Sequence, residues 1–152
     1  MQHTGRVVSI LAVVTLSASL LAACSGSMPV PTPTHSQRPT VAPTVAPQAG
    51  ASANAKAFKY FVEQGVAAQG LHADTKWMLE QLFAAGFPSE GAQYSDPSTA
   101  AGMKADSTTV SIEMAGQCLI AQYGEASGSV VTSLQPRLAS GGCLLGRNIN
   151  NY

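Results

Sequence analysis

Thr108-Thr109-Val110-Ser111-Ile112-Glu113-Met114 alternates, and that alternation decides the fold. Val110, Ile112 and Met114 fall on one face, Thr109, Ser111 and Glu113 on the other. A period of two marks a half-buried strand. Gly116 and Gln117 read as the turn that follows. Cys118-Leu119-Ile120-Ala121-Gln122-Tyr123 is then apolar enough for a central strand.

Downstream, Gly124 to Gly128 predicts a second turn, and Ser129 to Leu134 a third strand that Pro136 ends. Gly141-Gly142-Cys143-Leu144-Leu145-Gly146 predicts a last short strand entered by a tight turn. Upstream, Ala92 to Ser95 predicts a weak first strand and Asp96-Pro97-Ser98-Thr99 a turn. Consecutive strands with short links make an antiparallel meander.

Before Pro88 the period is helical. From Ser52 to about Ala68, Phe58, Phe61, Val62, Val66 and Gln69 recur at three and four residues. Ser52 or Asn54 can cap the start. Gly65 weakens the interior a little, and Gly70 suits a stop. Asp74 or Thr75 can cap a second helix running to about Ala85, with Met78, Leu79, Leu82 and Phe83 as its stripe. Gly86-Phe87-Pro88 closes it: a left-handed turn, an apolar fold-back and a residue that forbids continuation. Helices first and strands after predict an α+β fold, two N-terminal helices packed on a small antiparallel sheet.

The chain ahead of this domain has a different character. Arg6 precedes an apolar run from Val7 to Leu21, which is shorter than the roughly 20 residues a spanning helix needs. Basic start, apolar core and small Ala22 and Ala23 have the order of a secretory signal. Leu20-Leu21-Ala22-Ala23-Cys24 resembles a bacterial lipobox. That resemblance implies cleavage after Ala23 and a diacylglycerol thioether on Cys24, which anchors the protein to the membrane. Ser25 to Ala51 is rich in Pro and Thr, with prolines at 29, 31, 33, 39, 43 and 47. No periodic apolar face exists there, so a disordered, polyproline-biased linker is expected, with a reach on the order of 80 Å. Three segments follow: a lipoprotein signal peptide (1–23), the lipidated cysteine with its linker (24–51) and an α+β domain (52–152).

The lipobox also settles an odd cysteine count. With Cys24 lipidated, Cys118 and Cys143 remain, and outside the cytoplasm such a pair most often forms a disulfide. Two buried thiols or a redox couple are the alternatives, although no Cys-x-x-Cys is present.

Several functions are disfavoured by composition. From Ser52 onward six bases face eight acids, so nothing resembles the basic footprint of a nucleic-acid binder. About 100 residues hold one modest core, too little for a two-lobed transport receptor.

The residues Asp96…Thr99-Ala100-Ala101-Gly102…Ala105-Asp106-Ser107, Gln117-Cys118 to Gly124 and Leu138…Gly142-Cys143-Leu144-Leu145-Gly146 together resemble the C-terminal domain of small actinobacterial lipoproteins, a domain of unknown function. The likeness covers about the last hundred residues and implies no catalytic residue and no cofactor.

Chemistry-bearing residues are sparse. His72 is the domain's one histidine and stands in no nucleophile motif. With the cysteines paired it is also too little for zinc. Asp96, Asp106, Glu113 and Glu125 are the carboxylates nearest one another, without calcium-loop spacing. Gly141-Gly142 lacks the lysine of a phosphate loop and reads as a turn, and Tyr94, Tyr123 and Tyr152 read as decoration on a sheet. The expected function is a tethered, non-enzymatic envelope lipoprotein that binds a protein or wall component or fills a structural role. The alternative is an enzyme or accessory subunit acting on wall glycans through Asp96, Asp106 or Glu113. A cleft joining two of these carboxylates would favour the alternative.

Overall fold

A computed structural model describes residues 41–99 and 101–152. The signal segment, Cys24 and the linker up to residue 40 lie outside the described residues. A 3-10 turn at Pro47–Ala49 leads into α1 (Gly50–Gln69) and α2 (Thr75–Ala84). Five strands follow: β1 (Gln93–Ser95), β2 (Ser107–Met114), β3 (Gln117–Gly124), β4 (Val131–Pro136) and β5 (Ile149–Asn151). The fold is α+β, with an antiparallel sheet in the order β4-β3-β2-β1-β5. No helix among the described residues is long and apolar enough to cross a membrane.

α1 starts two residues ahead of Ser52, and neither expected cap is used. Its N-cap is Ala49, with no side-chain bond. Asn54 is instead buried one turn inside. Its Oδ1 accepts the Ala46 N–H at 2.8 Å, while Nδ2 donates to the carbonyls of Ala46 and Gly50 at 2.8 and 2.7 Å. One amide thus pins the entering chain, and Val45 packs on the core beside it. The inward face of α1 is Ala51, Asn54, Ala57, Phe58, Val62 and Gly65; Phe61 and Val66 flank it and Gln69 is exposed.

Gly65 is a contact point and not a flaw in the helix. A Cβ there would lie 2.6 Å from the Met78 sulfur, so its absence lets α2 approach. Asp74 caps α2 by accepting the Trp77 N–H at 2.9 Å. The end is a Schellman closure: Gly86 N–H bonds the Phe83 carbonyl, Phe87 N–H bonds that of Leu82, and Gly86 has φ +105°. Phe87 then meets Phe58 edge-on at 5.8 Å.

The β2–β3 hairpin turns on two residues, Ala115 (φ +52°) and Gly116 (φ +75°), so Gln117 is the first residue of β3 and pairs with Met114. Left-handed angles at both central positions give the turn whose twist matches the strands. One sheet face carries Val110, Ile112, Leu119, Ala121 and Tyr123 under the helices, where Phe58, Val62, Met78, Leu79 and Leu82 complete a core closed to solvent.

The last strand differs from expectation. Gly141 to Gly146 is turn and coil; β5 lies further on and pairs with β1, at the edge opposite β4. The meander holds for β1 to β4 and breaks there. The physical cause is local, since the N–H groups of Cys143 and Leu144 are taken by the Gln93 side chain and are withdrawn from any ladder.

Candidate functional site

Between β4 and β5 the chain must travel from one sheet edge to the other. Residues 137–148 make that crossing as a strap over the sheet face that the helices leave uncovered. Cys143 on the strap is bonded to Cys118 on β3, with Cα atoms 5.5 Å apart. The disulfide ties the strap to the sheet centre, not strand to strand as expected. Gly141 (φ +89°) and Gly142 (φ +75°) both take left-handed angles in the loop closed by Leu138, directly ahead of the buried Cys143. Gln93 on β1 completes the fastening, and its Nε2 also donates to Asn151 Oδ1 at 2.9 Å.

Where the strap leaves β4, Arg137 Nε lies 3.2 Å from Glu113 Oε2. The Glu113 side chain is only 18% exposed and that of Arg137 about half, at 52%. This pair is common to two adjoining open grooves. The first, about 520 Å³, is walled by Pro47, Pro88, Glu90, Ala115 and the pair itself. The second, about 390 Å³, runs along Gln93, Ser140, Gly142 and Asn151. Gly91 borders both, and a Cβ on it would press to 3.2 Å from that of Glu113. A carboxylate, a guanidinium, two side-chain amides and a hydroxyl therefore converge. Such a set recognises a polar ligand that both donates and accepts hydrogen bonds. A third depression, about 400 Å³, lies between the helices and is walled by Phe61, Gly65, Trp77 and Ala84.

Of the carboxylates singled out by sequence, only Glu113 reaches these grooves, and its groove-mate is Glu90. Asp96 and Asp106 sit at the two ends of the β1–β2 connection, engaged through their backbones with Asn148 and Ala126. Glu125 pairs instead with His72, whose Nε2 lies 2.7 Å from Glu125 Oε1. The hydrogen bond from His72, and then its charge, hold the Glu125 carboxyl below the usual carboxylate range. His72 thus has a partner that its own neighbourhood in the chain does not disclose. Among the described residues no three His, Cys, Asp or Glu side chains gather as a metal site would require.

The tyrosines divide. Tyr123 is no decoration: it is fully buried beneath the helices, and burial pushes the phenol up to about 12, against the smaller opposing pull of a weak contact with the Thr108 side chain. Tyr94 is buried with Lys76 Nζ 5.5 Å from its ring centre, and Tyr152 stacks edge-on against Phe83 at 4.8 Å. Gln93 and Arg137, the two residues that build the strap and its grooves, carry no motif. The one sequence signal near Arg137 is Pro136, which ends β4 and sets where the strap begins.

Residues 63–147, more than half of the chain, match the family model described as a domain of unknown function, DUF6993. No curated protein and no solved structure matches the chain.

Proposed function

This chain belongs to the DUF6993 family, and we propose that it is a cell-envelope lipoprotein whose domain binds a partner outside the membrane. The carrying observation is the bond between Cys118 and Cys143. A structural disulfide belongs to an oxidising compartment, and its formation leaves Cys24 as the single unmatched cysteine. Cys24 stands directly behind an apolar run and two small residues, where lipidation anchors an exported chain. The resemblance to small actinobacterial lipoproteins supports the same location. The Pro/Thr-rich linker then serves as a spacer that carries the domain away from the lipid. The grooves around Glu113 and Arg137 are where a polar protein segment or wall component would be held.

Metabolic labelling with radioactive palmitate tests the anchor. Label should enter the wild-type protein, stay with the membrane fraction and disappear in Cys24→Ser. A processed product in the medium with a free thiol on Cys24 would overturn the reading. Cross-linking in intact cells, compared between wild type and Arg137→Ala, tests the grooves.

One feature favours the alternative, an enzyme or accessory subunit acting on wall glycans: Glu113 shares its groove with the carboxylate of Glu90. Hydrolysis of purified wall glycan that is lost in both Glu90→Gln and Glu113→Gln would establish it.

A further inference from the structure

We propose that β4 is a docking edge for a second copy of this chain, the two β4 strands pairing antiparallel about a two-fold axis at Ser133. The β2–β3 hairpin fixes which way the backbone of β4 points. The two-residue turn at Ala115–Gly116 makes Met114 and Gln117 a hydrogen-bonded pair. Alternation along an antiparallel ladder then turns the backbones of Cys118, Ile120 and Gln122 toward β4. Their partners Gln135, Ser133 and Val131 point inward in return. The next position in the same register agrees, since Arg137 N–H donates to the Gly116 carbonyl at 3.0 Å. Thr132 and Leu134 therefore direct their N–H and C=O groups away from the sheet, and Pro136 directs only a carbonyl.

That outward set is self-complementary. With Ser133 on the axis, Thr132 of each copy faces Leu134 of the other, and all four outward N–H groups find carbonyls. Centring on Leu134 instead would pair the same four N–H groups but set Pro136, which has no N–H, opposite Thr132, so both Thr132 carbonyls would lack a donor. Centring on Thr132 would place Leu134 against Val130, beyond the strand. Only same-parity registers keep both helix layers on one side of the joined ten-stranded sheet.

Charge points to the same occupant. Val131 to Pro136 contains no charged residue, so two copies meet without like charges opposed. Natural edges are usually guarded by a lysine, an internal proline, a bulge or short length. β5 at the other edge is only three residues long, whereas β4 is six and exposes Val131 at 52% and Leu134 at 37%. Four hydrogen bonds and a narrow contact make a weak, concentration-dependent dimer.

The test uses the full chain in mild detergent with Cys24→Ser, which leaves no unpaired thiol besides one introduced cysteine. At a non-hydrogen-bonded antiparallel pair the Cα atoms lie about 4.5 Å apart, within disulfide reach. Under mild oxidation Ser133→Cys should form a covalent dimer on the order of tenfold faster than Gln48→Cys, because association raises the effective thiol concentration. Ser133→Lys should abolish the dimer seen by sedimentation and leave the thermal melt unchanged. Equal cross-linking rates at 133 and 48, fastest cross-linking at Thr132→Cys or Leu134→Cys, or a dimer that survives Ser133→Lys would each overturn the proposal.

Discussion

Gln93 holds Cys143 in place: its Oε1 accepts the Cys143 N–H at 2.6 Å and the Leu144 N–H at 3.0 Å. Cys143 is nearly closed to water, so its N–H has no ready substitute for that oxygen. A buried donor left unpaired costs about 1–3 kcal/mol. Gln93→Ala should lower stability by that amount in urea unfolding. Gly142→Ala should do comparable damage, because a Cβ there would fall 2.7 Å from the Gln93 amide and φ is +75°. A Gln93→Ala protein as stable as wild type would show that the strap does not depend on this side chain.

The disulfide fastens the same strap by a different physical route. It closes a loop with a sequence separation of 25, which in the chain-entropy model is worth about 3.5 kcal/mol. Cys118→Ala/Cys143→Ala should lose about that much. The two fastenings share a segment, so their effects should not add. Gln93→Ala ought to cost less in the background without the disulfide than in wild type, and a double-mutant cycle measures the difference.

These two fastenings mark the boundary of what the sequence discloses. The Val110, Ile112, Met114 alternation, the Asp74 cap and the Gly86-Phe87-Pro88 stop are local codes, and all three are found where they were read. Asn54 carries a cap residue's identity but bonds a segment eight residues back, a tertiary role that spacing alone does not reveal. β5 has three residues and no periodicity; it is a strand only because β1 offers it a free edge. The Glu113–Arg137 and His72–Glu125 pairs are meetings of distant segments, visible only once the strap and the β3–β4 turn are in place. The expected signal peptide and Cys24, on which the proposed location rests, lie outside the described residues.

Asn54 supports a prediction that separates its two ends. Asn54→Ala removes three hydrogen bonds to backbone that water can partly reach, and should cost about 1–3 kcal/mol. Asn54→Asp keeps the acceptor for Ala46 N–H but sets an anionic oxygen against the carbonyls of Ala46 and Gly50. The aspartate should therefore be the more damaging change, even though it lies toward the N-terminal end of the helix, where the dipole favours an anion. Hydrogen exchange should show protection lost at Ala46 while the β2–β3 amides keep theirs. A milder effect from Asp than from Ala would mean that the Nδ2 contacts contribute little.

Tyr123 supplies the pH dependence. Its hydroxyl is buried with only a weak contact to the Thr108 side chain, so Tyr123→Phe should leave stability near neutral pH within about 1 kcal/mol of wild type. The sign with pH follows from burial, which pushes the folded phenol from the ordinary 10 up to about 12. The folded state keeps the proton where the unfolded state releases it. Below pH 10 both states are neutral and the group contributes no slope. From pH 10 to 12 wild-type stability should fall by about 1.4 kcal/mol per pH unit, close to 3 kcal/mol in all, and then level off. Tyr60, Tyr94 and Tyr152 are present in both proteins, so the difference between the two curves isolates position 123. Chemical denaturation at intervals from pH 8 to 12 reads it directly: the phenylalanine variant should draw steadily ahead above pH 10. Curves that stay parallel across that range would mean that the hydroxyl reaches water after all.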